Sequence, residues 1–236
     1  MRDTPLTFYL RQFAWLLLAA ILLIGVFELT PLDTWVSDQL FDPVTKHFPL
    51  QDAWFLETVM HQWVKQALLL WGAWLLVRIV LPKKSSPDWQ YQRRTRQFLL
   101  AALIMAPSVV GIMKHYSDRP CPWDSTRYGG KISHILLWES LPAGEQPGRC
   151  FPGGHSSGGF ATLALVLVAR RRSMKAAWLT FAACFSLGML MGAGQVLRGA
   201  HYVSHNFWSA WVAWGVILLL HAAFFARRDQ YIDQQV

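Results

Sequence analysis

The feature that most limits this chain is a series of apolar stretches, each close to the roughly 20 residues that a bilayer core demands of a helix. Phe13 to Phe27 is nearly unbroken apolar sequence, and further runs cover about Val64 to Leu81, Phe98 to Met113, His155 to Arg170, Ala176 to Leu197 and Val203 to Ala226. We read them as six transmembrane helices of an all-α, polytopic bundle, with residues 1–236 forming one membrane-embedded domain. The first run lacks a small-residue cleavage pattern and is expected as a retained span rather than a signal peptide. At 53% hydrophobic and 15% charged, the chain carries more apolar surface than a soluble interior of this size can hide. The surplus must face lipid.

The polar residues between the runs give the orientation. Lys83, Lys84, Arg93, Arg94 and Arg96 crowd one loop, Arg170, Arg171 and Arg172 follow the fourth run, and Arg227 and Arg228 follow the sixth. The positive-inside rule places all three clusters and both termini in the cytoplasm, in the setting of a bacterial inner membrane. A net charge of +8 is thereby assigned to membrane flanks and not to nucleic-acid binding. Pro82 is expected to end the second helix, while Pro107 interrupts the third. The mixed segment Thr30 to Trp63 carries Trp35, Phe41, Trp54, Phe55 and Trp63, which suits a loop or short helix anchored at the membrane surface. The same alternation gathers Lys114, Arg119, Arg127, Lys131, Arg149, His155, Arg198, His201 and His205 at the opposite, periplasmic face.

The longest polar connection, His115 to Gly154, leads into Gly148-Arg149-Cys150-Phe151-Pro152-Gly153-Gly154-His155-Ser156-Ser157-Gly158-Gly159. Such permissive backbone at the start of a helix can turn several amides toward an anion and add the positive end of the helix dipole. An ordinary Gly/Pro turn is the plain alternative. Cys121 and Cys150 bracket this loop and would pair in an oxidising compartment, whereas Cys184 reads as a small core residue. His115 and His134 read as interfacial or hydrogen-bonded residues; His47, His61 and His221 have no chemical context. Gly188, Gly192 and Gly194 suit close helix packing.

Three separated pieces meet on the outer side: Lys114 to Pro122, Pro152-Gly153-Gly154-His155, and Gly199-Ala200-His201-Tyr202-Val203-Ser204-His205. In order and spacing they resemble the three signature motifs of the type 2 phosphatidic acid phosphatase superfamily, which includes membrane lipid phosphatases and vanadium haloperoxidases. The resemblance covers Lys114 to Trp208, within a core of about residues 98–226. It implies that Lys114 and an arginine hold phosphate oxygens; Cys121 stands where that arginine is expected, and Arg119 is the substitute. It implies that Gly153, in place of a serine, and Gly154 offer backbone amides, and that His155 is the general acid. It implies that His201 is the nucleophile, with Gly194-Gln195 in place of Ser-Arg, Arg198 one turn further on, and His205 in place of an aspartate. A rival register makes His205 the nucleophile.

The chemistry so implied is hydrolysis of a lipid phosphate or pyrophosphate. His201 attacks phosphorus to form a phosphohistidine, and His155 protonates the leaving oxygen, with no metal and no cofactor. Lys114, Arg119 and Arg198 would neutralise the phosphate. Because an imidazole steadies an imidazolium less than a carboxylate does, Asp118, Asp124 or Glu139 is expected to supply negative charge. A phosphotransferase with the same nucleophile stays open. So do a zinc-dependent hydrolase using His201 and His205, four residues apart, and a non-catalytic lipid-binding or transport protein. The expected partners are the bilayer and the lipid substrate, and nothing in the pattern fixes an oligomeric state. So lipid-committed a chain argues against haloperoxidase activity.

Overall fold

The computed structural model describes residues 5–81 and 88–233, and Pro82, Lys83 and Lys84 lie outside them. Its helices are α1 (Pro5–Phe27), α2 (Leu32–Leu40), α3 (Val64–Val80), α4 (Trp89–His115), α5 (Gly154–Ala161), α6 (Ala164–Arg170), α7 (Met174–Leu197) and α8 (Val203–Asp233). A π-helical segment, Phe55–Trp63, runs straight into α3. Among the described residues no strand forms, and pairing is limited to isolated bridges at Asp42 with His47 and Ser125 with Ile132.

Five helical stretches are long and apolar enough to cross a membrane: Leu6–Phe27, Phe55–Val80, Trp89–His115, Met174–Leu197 and Val203–Ala226. The expected fourth span is built instead as two helices, α5 of 8 residues and α6 of 7. The break has a local cause. Around Thr162 the backbone bonds tighten to three-residue steps, Thr162 N–H to Gly159 O and Leu163 N–H to Phe160 O, while the Thr162 hydroxyl also bonds Gly159 O at 2.6 Å.

The basic loop differs from expectation as well, because Arg93, Arg94 and Arg96 lie on the first turns of α4. A helix end leaves its last carbonyls without partners. Here Arg93 Nε donates to Ile79 O at 3.1 Å and Arg96 Nη1 to Arg78 O at 3.5 Å, so the guanidinium groups cap α3 from its neighbour. At the start of α7, Ser173 Oγ accepts the Ala176 N–H at 3.0 Å, an N-cap of the ordinary kind.

The bundle is organised around α4 and α8. Ala102, Ala106 and Val110 recur every four residues on α4 and are fully buried with Phe98; small side chains on that stripe let α8 approach with Ala213, Ile217 and Leu218. α5 reaches α7 closely enough that a Cβ at Gly159 would stand 2.7 Å from Gly188 Cα. The outward surface is apolar: Leu17, Ile21 and Leu22 on α1, Leu69, Leu70 and Trp74 on α3, and Trp178 and Leu179 on α7 are all exposed. In water this pattern would drive aggregation; against lipid it is the expected face. Trp35, Trp54 and Trp63 also point outward near one end, where indole rings anchor at headgroup level.

Over that end lies the long loop between α4 and α5. Arg127 holds Asp38 of α2 through Nε at 2.8 Å and Nη2 at 2.7 Å, and the Tyr128 hydroxyl joins the same carboxylate at 3.0 Å. Phe41, Phe48 and Tyr128 pack edge to face beneath it, with centroids 5.1 to 5.4 Å apart.

Candidate functional site

Each of the three loop pieces is fixed by backbone bonds to another. Gly148, Arg149 and Cys150 donate to the carbonyls of Asp118, Ser117 and Arg119, each at 3.0 Å, so the loop's two arms lie side by side. Trp123 N–H reaches Gly199 O at 3.0 Å, and Gly153 N–H reaches His205 O at 2.9 Å. Ser209 Oγ closes the set on Gly153 O at 2.7 Å. Cys121 and Cys150 are joined by a disulfide across 29 residues, which ties the arm after α4 to the arm before α5.

The turn from α7 to α8 explains why a glycine precedes His201. Gly199 has φ +72°, a left-handed conformation that ends α7, and Ala200 N–H returns to Gln195 O at 2.9 Å. A side chain at position 199 would also run into the Phe48 ring. Asp33 of α2 meets the other side of the turn, its Oδ1 accepting the Ser204 N–H of α8 at 2.9 Å. Burial pushes the Asp33 carboxyl up to about 6, against the lowering effect of the Ser204 hydrogen bonds.

These constraints bring three histidines together. The His155 and His201 ring centroids are 5.7 Å apart, and His201 Nδ1 lies 3.3 Å from His205 Nδ1. His201 and His205 are fully enclosed, whereas His155 keeps one side open. Burial, reinforced by the nearby Lys114 and His155 charges, pushes the His201 imidazole well below the usual histidine range. It is therefore neutral at ordinary pH. Its Nδ1 also touches Cys150 Sγ at 3.3 Å, and a disulfide sulfur has no proton to give. When Nδ1 carries the proton, both of those neighbours are acceptors and Nε2 keeps a free lone pair. His205 packs edge-on against Phe151 and Tyr202, and its Nε2 has no hydrogen-bond partner among the described residues.

Of the expected cations, Lys114 is the one placed at this cluster. Its stem passes Gly154, where a Cβ would sit 3.8 Å from Lys114 Cδ, and its charge acts on both His201 and Asp124. The two arginines are held elsewhere. Arg119 is buried, with Nη1 on Glu28 Oε1 at 2.7 Å and its guanidinium 5.1 Å from the Phe151 ring centre. Arg198 donates from Nε to Gln51 O at 2.6 Å and lies 3.4 Å from Glu57 Oε2. Gly153 sits in the turn, but its amide proton is already given to His205 O, which leaves the start of α5 at Gly154 and His155 as the amide face.

The three acids expected to add negative charge are dispersed. Asp124 accepts from Trp123 Nε1 at 3.0 Å and faces Lys114, and Glu139 accepts the Leu136 N–H at 2.7 Å. Asp118 contributes its carbonyl to the paired arms. Glu28 escaped the sequence reading: its second oxygen takes the Leu137 N–H at 3.0 Å, so it joins α1 to two parts of the long loop. Its one sequence signal is an acid directly after an apolar run.

A cavity of about 670 Å³ opens between α3 and α4 and reaches His155, the one member of the histidine cluster that lines it among the described residues. Leu68, Leu76, Leu100, Leu103 and Ile104 line its length, Lys65 lines it from the start of α3, and Gly154 and His155 close it. Pro107 borders it as well, so the missing amide of α4 falls beside a cavity rather than inside a packed interface. The PAP2 superfamily model matches residues 97–229, more than half of the chain and all three of the laced segments. Comparisons with curated proteins and with solved structures gave no match.

Proposed function

The chain belongs to the PAP2 superfamily, a family of phosphatases acting on phosphate esters, and from that membership we propose that it is an integral membrane enzyme that dephosphorylates a lipid phosphate or pyrophosphate. The observation that carries the lipid part is the apolar cavity that runs between two membrane-crossing helices and ends at His155. A water-soluble ester would have no use for a leucine-lined channel of that length, whereas an acyl or prenyl chain fills it and leaves its phosphate at the imidazoles.

In this reading Lys114 and the first amides of α5 hold the phosphate oxygens, and Lys65 meets the headgroup at the cavity. Arg119 and Arg198 act at one remove, fixing the loops through Glu28 and Gln51. Neutral His201 attacks phosphorus in line through Nε2, while His205 Nδ1 accepts from His201 Nδ1–H and steadies the charge that develops. The bond from phosphorus to the lipid oxygen breaks as His155, protonated, gives that oxygen its proton. Water then attacks the phosphohistidine, neutral His155 takes its proton, and phosphate leaves with His201 restored. Groups of the chain suffice for every step.

The topology proposed with it has six crossings. α5 and α6 together run from Gly154 to Arg170, about 25 Å at the helical rise, and serve as the fourth. Arg93, Arg94 and Arg96 at one end and the disulfide-tied loop at the other support an orientation with the termini in the cytoplasm and the site in the periplasm of a bacterial inner membrane.

The test is phosphate release from detergent-dispersed phosphatidate, phosphatidylglycerol phosphate, undecaprenyl pyrophosphate and lipid A, beside a soluble aryl phosphate, with wild type and His155→Ala. At least one lipid should be turned over far faster than the soluble ester, and the variant should lose that turnover. Preference for the soluble ester, or an active variant, would overturn the reading.

A further inference from the structure

The disulfide sits against the attacking imidazole, and its sulfurs do more than tie two arms of a loop. Ligand atoms of Cys121, Cys150 and His201 all lie within 4.8 Å of one another, and all three residues are buried. His205 Nδ1 lies outside that trio, 3.3 Å from His201 Nδ1, and is the nearest nitrogen to complete it once the sulfurs turn. A tetrahedral zinc ion with Zn–S of about 2.3 Å and Zn–N of about 2.05 Å separates its two nitrogens by about 3.3 Å and a sulfur from a nitrogen by about 3.5 Å. Here the nitrogen pair stands at 3.3 Å and Cys150 Sγ at 3.3 Å from His201 Nδ1. The cysteine Cα atoms are 5.2 Å apart, so both sulfurs can turn toward one ion without moving the backbone far. Oxidised, the sulfurs are poor ligands; reduced, they are the soft pair that zinc prefers.

We propose that reduction of Cys121–Cys150 creates a closed Cys₂His₂ zinc site, made of the two cysteine sulfurs and the Nδ1 atoms of His201 and His205. A dithiol reductant gives two electrons and two protons to the disulfide and becomes a cyclic disulfide, leaving two cysteine thiols. Zinc then displaces both thiol protons and takes the Nδ1 lone pairs. Metal on His201 Nδ1 moves that ring's proton to Nε2, the atom assigned to attack phosphorus, so the reduced, zinc-loaded protein is inactive. That last consequence rests on the proposed function; the metal site itself does not.

The experiment is metal uptake by the full-length protein in detergent, reduced with a dithiol and desalted without oxygen, against the oxidised protein. Elemental analysis should find about one zinc per reduced chain and none in the oxidised protein, and Co²⁺ should give a thiolate-to-cobalt charge-transfer band only after reduction. Cys184→Ser should behave as wild type, and His201→Asn should bind roughly tenfold more weakly or worse. Cys150→Ser should not load. Should that variant fail to fold, alkylating both thiols of reduced wild type before adding metal should abolish loading equally. No uptake after reduction, equal uptake in both redox states, or undiminished uptake after alkylation overturns the proposal, whatever the phosphatase assay shows.

Discussion

The two halves of α8 each carry a histidine, and their surroundings separate a lone packed imidazole from one that belongs to a cluster. Toward the C-terminal end His221 is part-buried, its Nδ1 joined to the Tyr9 hydroxyl at 2.7 Å and its ring set among Phe98 at 5.5 Å and Phe225 at 5.0 Å. In the first turn, about 24 Å away by helical rise from His221, His205 meets His201, which meets His155. The His221 ring has an aromatic jacket and a hydroxyl partner. The clustered rings have one another, a lysine and, at His155, a cavity. Burial is common to both, so enclosure alone does not mark the site; what distinguishes the cluster is its neighbouring imidazoles, the charge of Lys114 and a cavity that reaches His155.

The widest test of that contrast pairs His201→Ala with His221→Phe. The first should lower kcat roughly a thousandfold or more on the lipid identified by phosphate release, and the second should leave kcat within about twofold. Equal losses would mean that the two ends are alike. Next in size is His205→Ala, which removes an acceptor from an imidazole that becomes charged in the transition state; a charge-assisted hydrogen bond of about 1.5 to 3 kcal/mol corresponds to roughly a ten- to hundredfold loss in kcat. A gain on His205→Ala would assign His205 to structure alone. Because His201 is held well below the usual histidine range in the free protein, the acid limb of the kcat/KM profile that reports its protonation should lie below pH 6.5.

Asp33 sharpens the comparison on the stability side, since it is a buried carboxyl braced against the turn from α7 to α8. Its folded value of about 6 stands above the ordinary 3.8, so the folded state holds the proton more tightly. The stabilisation is complete below about pH 3.8 and is lost as pH rises through 6, a fall on the order of 3 kcal/mol. Thermal midpoints measured between pH 4 and 7 should decline in wild type and flatten in Asp33→Asn; an unchanged slope would reject the assignment. The smallest effect belongs to the surroundings of His221: Tyr9→Phe should cost about 1 kcal/mol in unfolding and leave activity alone.

Much of the histidine cluster was legible because its chemistry is written in short motifs. His155 and His201 follow glycine-bearing turns, Lys114 ends an apolar run, and counting spans puts them on one face. The arginines were not legible in the same way. A guanidinium is defined by the carboxylate it finds, and Glu28, ninety-one positions from Arg119, lies in a region whose sequence gives no sign of that meeting. The fourth span was equally opaque, since Gly158, Gly159 and Thr162 permit a continuous helix and a broken one with the same apolar content. The basic segment before α4 read as loop because its charges hid the fact that they cap α3.

By itself, then, the sequence determined that this chain forms several helices long and apolar enough to cross a membrane, with histidine-bearing motifs in the segments between them, because apolar length acts locally and needs no partner to be felt. Only the tertiary structure decided which cation stands at the imidazoles, which are tied away from them, and that a disulfide rests on the His201 ring. Those outcomes depend on distances of a few ångströms between residues far apart in the chain, and packing alone sets such distances.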